Sequence, residues 1–79
     1  MTEETIRKIK VGDVFSLYNP FDATVYETLH VEGVEGALSP EDLSNPNWHP
    51  AIWARGENDK FCGWVPHWWL LYMCVKVNQ

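Results

Sequence analysis

The sequence has few of the residues on which small secreted domains and membrane proteins depend. Its 79 residues include two cysteines, so at most one disulfide can form and a dense disulfide framework is excluded. The longest apolar run, Trp68–Val75, is far too short to span a bilayer, and residues 1–8 lack the apolar stretch of a secretory signal. We therefore expect a soluble, cytoplasmic protein with no membrane role. Cys62 and Cys74 are expected to be small buried thiols, with a disulfide between them as the alternative.

Basic side chains are missing from the middle of the chain. Between Val11 and Ala54 there is no lysine or arginine, and every charged side chain there is acidic. The net charge of -5 disfavours direct binding to a nucleic-acid backbone and favours a protein partner with a basic surface. An acidic surface that only keeps a small protein soluble is the alternative.

Motifs for catalysis, phosphate binding and metal binding are absent from the sequence. The five glycines are dispersed and form no phosphate-binding loop, and Glu41 and Asp42 follow Ser39-Pro40 as acids do in a first helical turn. No pair of cysteines or histidines has the spacing of a Cys-x-x-Cys chelate. We expect no catalytic residue, cofactor or metal. A small enzyme or metal-binding domain that uses Cys62 and His67 is a third hypothesis.

Alternating apolar and polar residues predict short strands separated by turns. The stretches with this pattern are Val11–Tyr18, Thr24–Val31, Ala51–Arg55, Phe61–Val65 and Leu71–Val77. Turn-forming residues such as Asn19-Pro20 and Gly56–Lys60 lie between them. Five short strands without a long helix predict an all-β barrel or small sandwich, and Ser39–Leu43 predicts a one-turn helix in a long loop.

Tryptophan is concentrated near the C-terminal end, where three of the five lie in Gly63–Leu70. Each ring carries a large apolar area and one N–H that needs a partner, so such a cluster fills a core or forms a docking surface. We expect Trp53 and Trp69 to belong to the core. The predicted partner-binding surface consists of the partly exposed Trp48, Trp64 and Trp68 together with Tyr18. A fully packed aromatic core without a binding role is the alternative.

From Ile52 onward, the order of residues resembles the C-terminal half of SH3 domains. The matching features are a strand that ends in Ala54, the polar turn Gly56–Lys60, the segment Gly63-Trp64-Val65-Pro66 and the pair Trp69-Leu70. Lys10–Phe15 is similar to the glycine-acid-hydrophobic start of a strand in the same fold. The resemblance implies an SH3-like barrel. It does not imply proline-peptide binding, because Ala51 stands where the family has a ligand-stacking tryptophan.

Together these features predict a non-enzymatic protein-interaction module that is a monomer or a homodimer. Its single domain covers 1–79, with a polar arm or short helix over 1–9 and the barrel over 10–79. Aromatic side chains are expected to supply affinity, and an acidic loop to steer association, through Glu32, Glu35, Glu41 and Asp42. The alternative is a small acidic inhibitor of the phage type, which blocks the basic nucleic-acid channel of a host enzyme.

Overall fold

An antiparallel β-sheet makes up most of the structure, a computed structural model that describes residues 1–36, 44–45 and 48–77. The elements in chain order are α1 (Glu3–Arg7), β1 (Val14–Tyr18), β2 (Val25–Glu35), β3 (Ala51–Gly56), β4 (Cys62–Trp64), α2 (His67–Tyr72) and β5 (Cys74–Lys76). The spatial order of the strands is β4-β3-β2-β1-β5, and each neighbouring pair is antiparallel. The prediction of an all-β fold is confirmed. None of the helices in the described ranges is long and apolar enough to cross a membrane.

Strand β2 is the longest strand and holds the sheet together. Residues Val25–His30 pair with β1, and residues Leu29–Glu35 pair with β3. The register with β3 shifts between Val31 and Gly33, which is typical of a β-bulge. The predicted strand Thr24–Val31 is therefore too short at its C-terminal end. Gly33 does not end the strand but lies within it, next to the bulge, and the strand continues to Glu35.

The core lies against one face of the sheet, because successive side chains of a strand point to opposite faces. The inward residues of the first three strands are almost fully buried: Phe15, Leu17, Leu29, Val31, Ile52 and Ala54. Val25 alternates onto the same face, but it is 50% exposed at the start of β2. The next inward position along β2 is occupied by the buried Glu27.

The N-terminal residues form a short helix that packs on the same core. Thr2 precedes α1, and its hydroxyl oxygen accepts a hydrogen bond from the Thr5 N–H at 3.1 Å, as an N-cap does. Ile6 is fully buried and Ile9 is 5% exposed, so both join the core. The spacing of these two isoleucines therefore places one face of the segment against the sheet.

The predicted last strand Leu71–Val77 is partly wrong. A helix follows Pro66 and continues to Tyr72, and β5 begins only at Cys74. Because the helix takes up the first residues of the predicted strand, the face that points inward changes: Cys74 is 4% exposed, whereas Val75 is 56% exposed.

Candidate functional site

A buried carboxylate holds the turn between β3 and β4. Glu27 is 1% exposed and points into the core side of the sheet. Its oxygens accept hydrogen bonds at 3.1 Å from the backbone N–H groups of Thr28, Asn58 and Lys60. The side-chain amide of Asn58 donates a further bond at 3.1 Å. These donors replace the water that the carboxylate loses on burial, so the turn is fixed to β2.

The same contacts determine the protonation state of Glu27. Burial has the largest effect and raises the pKa of the carboxyl, but the N–H groups of Lys60, Thr28 and Asn58 together outweigh it. The pKa of Glu27 is therefore lowered, and the folded protein contains the charged form. Gly56 provides the space for this carboxylate, since a Cβ at that position would lie 2.6 Å from the Glu27 Cδ.

An apolar groove of about 540 Å³ lies between this turn and the tip of the β1-β2 hairpin. Its volume is within the usual range of ligand pockets. We call it the aromatic groove, after the six rings that line it: Tyr18, Phe21, Tyr26, Phe61, Trp68 and Trp69. The groove is thus formed by the tip of the β1-β2 hairpin, the β3-β4 turn and the first residues of α2.

The rings differ in how firmly they are held. Phe61 and Trp69 are half-buried, pack against the core, and have ring centroids 5.3 Å apart. In contrast, Phe21 is 96% exposed, Trp68 is 56% exposed and Tyr26 is 45% exposed. The floor of the aromatic groove is therefore fixed by the core, while its rim presents apolar surface to solvent.

The turn that carries Phe21 is held by its own polar side chains. Asn19 Oδ1 accepts a hydrogen bond from the Phe21 N–H at 2.9 Å. Asp22 Oδ1 accepts bonds from the Thr24 hydroxyl at 2.7 Å and the Thr24 N–H at 3.0 Å, and these two bonds lower the pKa of Asp22. Such side-chain-to-backbone bonds are typical of Asx turns. The phenyl ring is thus presented to solvent from a defined turn.

A lysine lies at the wall of the aromatic groove. The Lys60 Nζ is 5.1 Å from the centroid of the Tyr26 ring and donates a hydrogen bond to the Tyr26 carbonyl oxygen at 3.3 Å. The first distance is within the range of a cation–π contact. Among the described residues, Lys60 is the one charged side chain that lines the groove.

The structure brings together only part of the predicted aromatic surface. Tyr18 and Trp68 both line the aromatic groove. Trp64 is 48% exposed but lies outside the groove, with its ring edge-on to Trp53 at a centroid distance of 5.1 Å. Trp53 alternates with the buried Ile52 and Ala54, so the two rings share the sheet face that points away from the core.

The predicted core positions of two tryptophans also need correction. Trp53 and Trp69 were expected in the core, but both are half-buried and neither belongs to its fully buried set. Trp69 packs against the edge of the core, because the inward positions of the short strands are already filled by smaller side chains. Trp48 is half-buried, and the Arg7 guanidinium carbon lies 5.7 Å from its ring centroid.

The predicted acidic residues lie apart from the groove where the structure describes them. Glu32 and Glu35 are exposed in the second half of β2, whereas Tyr26 is near its start. Glu32 pairs with Arg55 at 3.2 Å. Outside the described residues lie Glu41, Asp42 and the predicted helix Ser39–Leu43. Glu32 and Glu35 would therefore attract a basic partner to a part of the surface other than the aromatic groove.

The cysteines and histidines occupy separate places. Both cysteines are free thiols; Cys74 is buried, which raises the pKa of its thiol to about 12, but Cys62 is exposed at an outward position of β4. The expectation that both are buried is therefore wrong for Cys62. His67 stacks on His49 with ring centroids 3.8 Å apart, and its Nε2 lies 3.1 Å from Glu3 Oε1. In the described part of the chain, no three or more His, Cys, Asp or Glu side chains are grouped to hold a metal ion.

No family model, curated protein or solved structure matches the chain. The likeness to SH3 domains is therefore still a prediction from residue order. The aromatic groove itself is the evidence from which a function can be inferred.

Sequence reasoning missed several residues of this site. The sequence pattern places Phe61 in a predicted strand and Phe21 next to a predicted turn and assigns neither to a binding surface, although both line the groove. Glu27 was also missed. Its position was readable, because it stands between Val25 and Leu29 on the face that the alternation assigns to the core. Apart from the Thr28 N–H, its hydrogen-bond donors belong to Asn58 and Lys60 in a distant turn, which the sequence pattern does not reveal.

Proposed function

We propose that the protein is a non-enzymatic interaction module that binds a segment of another protein in the aromatic groove. The observation that carries the proposal is the exposed rim of Phe21, Tyr26 and Trp68 above a floor that is fixed by the core. Contiguous exposed apolar surface is uncommon on soluble proteins and marks interaction sites. Aromatic side chains are also the usual anchors of protein interfaces.

The ordered surroundings of the groove favour binding as well. Glu27 fixes the turn that carries Lys60 and Phe61, and the Asn19 and Asp22 side chains fix the turn that carries Phe21. A site that is ordered before the partner arrives loses less conformational entropy on association. Preorganisation of both walls therefore supports a binding role for the groove.

We also propose that the sheet curls into an SH3-like barrel. Strand β2 supports this, because it pairs with β1 through its first half and with β3 through its second half, with a register shift between Val31 and Gly33. A long strand that bends at a bulge can take part in two packed layers of strands. The barrel would place the core inside and the aromatic groove at one end of β2.

The proposed function predicts which variant loses its partner. Tagged protein would be used to capture partners from a lysate at low and high salt, with wild type and the Phe21→Ala, Trp68→Ala double variant. We expect one stoichiometric partner with wild type and loss of that partner with the double variant, because two exposed anchors are removed. The control is the Val11→Ala, Trp64→Ala variant, which removes exposed apolar side chains outside the groove and should retain the partner.

Circular dichroism should show that all three proteins are folded. A partner that survives the groove variant but dissociates at high salt would contradict the proposal and favour the acidic inhibitor, whose binding to a basic channel depends on charge. Capture of no partner by the wild-type protein at either salt would also count against the proposal.

A further inference from the structure

We infer that the aromatic groove takes an apolar peptide segment that carries a carboxylate, and that an Asp or Glu side chain of the peptide pairs with Lys60. The inference rests on the proposed function and specifies the chemistry of the partner. Its basis is Lys60, which is held in place at the groove wall, has no carboxylate partner among the described residues, and is the one charged side chain among them that lines the groove.

Lys60 is held in place at both ends. Its backbone N–H donates to the Glu27 carboxylate at 3.1 Å, which fixes the position of the main chain. Its Nζ donates to the Tyr26 carbonyl oxygen at 3.3 Å and lies over the Tyr26 ring. An ammonium group has three hydrogens to donate, so this contact uses one and leaves others for a ligand.

In the part of the chain that the structure describes, most of the other basic side chains pair with a carboxylate, whereas Lys60 does not. Lys8 lies 3.2 Å from Glu4, Arg55 lies 3.2 Å from Glu32, and both Lys10 and Lys76 lie within 3.5 Å of Asp13. Among residues 1–36, 44–45 and 48–77, no carboxylate is within ion-pair distance of Lys60. A ligand carboxylate would supply the missing partner.

A cationic segment fits the groove less well. Aromatic rings attract cations, but the Tyr26 face already holds the Lys60 ammonium, and a second cation there would be repelled. The net charge of -5 acts against an acidic ligand at long range. At physiological salt, however, exposed charges are screened beyond about 8 Å, whereas a direct pair against an apolar wall is screened much less. The charge of Lys60 should therefore make the groove prefer acidic peptides to basic ones.

The inference is tested by selecting short random peptides, displayed on phage, on immobilised protein. Wild type should enrich apolar peptides that contain Asp or Glu, and Lys60→Glu should enrich peptides with Lys or Arg at the corresponding position. The Phe21→Ala, Trp68→Ala variant should enrich none of these sequences. Lys8→Glu changes the charge in the same way at an exposed site on α1 and should select the same peptides as wild type.

A synthetic peptide from the wild-type selection then isolates the ion pair. Replacing its acid by the matching amide should weaken binding to wild type about fivefold, the effect of an ion pair worth about 1 kcal/mol. The same replacement should leave binding to Lys60→Gln unchanged, because the partner charge is already removed.

The possible failures are distinguishable. Groove-dependent peptides with no acidic preference, or with a basic preference, would overturn the inference and leave the proposed function in place. If wild type selects no peptide that depends on Phe21 and Trp68, both the inference and peptide binding by the groove are contradicted.

Discussion

Replacing Glu27 with alanine is expected to lower the unfolding temperature by on the order of 10 °C. The substitution removes the acceptor of three backbone N–H groups, those of Thr28, Asn58 and Lys60. The Glu27 side chain that accepts these bonds is itself closed to solvent. The substitution also leaves a cavity beneath the β3-β4 turn. Thermal unfolding at neutral pH, followed by far-ultraviolet circular dichroism, measures the effect.

Glu57→Gln is the matched control for this variant. The Glu57 side chain is 53% exposed, and its Oε1 lies 2.8 Å from the Nε2 of His30. Loss of the Glu57 charge should therefore change the unfolding temperature by no more than about 3 °C. A Glu27→Ala protein that is as stable as the Glu57→Gln control would show that the buried carboxylate does not hold the turn.

The pKa of Glu27 also predicts how stability depends on pH. Because the folded pKa lies below the ordinary value of 4.5, ionised Glu27 stabilises the fold. This contribution is fully present above the unfolded pKa and is lost as the pH falls through the folded pKa. The unfolding temperature of wild type should therefore decrease as the pH falls below 4.5. Glu27→Gln should show a shallower decrease over the same range.

Gly56→Ala should destabilise the protein by about 1–3 kcal/mol, the usual cost of overpacking a core site. The new Cβ would lie 2.6 Å from the Glu27 Cδ. The backbone cannot move away freely, because the Gly56 N–H donates to the Phe61 carbonyl oxygen at 2.8 Å within the hairpin. Urea unfolding measures the change in the free energy of unfolding.

Two comparisons test whether contact with Glu27 causes the destabilisation by Gly56→Ala. Gly33→Ala is the control, since its Cβ would meet the Trp53 Cβ at an ordinary 3.5 Å, and it should change stability by no more than about 0.5 kcal/mol. In the Glu27→Ala background the Gly56→Ala substitution has more room, so the two changes should be non-additive by at least about 1 kcal/mol. Additive effects would contradict a direct steric contact between these residues.

The fold was predictable from the sequence where alternating apolar and polar residues indicate which side chains of a strand are buried. Phe15 and Leu17 lie on either side of the polar Ser16 and are buried as the alternation predicts, and the hairpin around Gly56–Lys60 follows from its turn residues. The register of the C-terminal segment was not predictable in this way. A run such as Trp68–Val75 suits both a helix and a strand, and tertiary packing selects a helix that ends at Tyr72.

The site was less predictable than the fold. Trp64 and Trp68 were expected on one surface, but Trp64 lies on a strand and Trp68 on α2, so their directions depend on elements with different periodicity. The aromatic groove joins Tyr18 and Phe21 to Phe61, which are about 40 residues apart in the chain and come together only in the tertiary structure. Local sequence therefore identified the type of residue involved but not the set that the fold assembles.

The most direct test of the binding role is to compare two tryptophans of similar exposure. Trp68 is 56% exposed within the aromatic groove, and Trp64 is 48% exposed outside it. Fluorescence anisotropy would measure the affinity of a labelled peptide, selected on the wild-type protein, for wild type, Trp68→Ala and Trp64→Ala. We predict that Trp68→Ala weakens binding at least about tenfold and that Trp64→Ala changes it less than about twofold. Equal losses, or a larger loss for Trp64→Ala, would contradict binding through the aromatic groove.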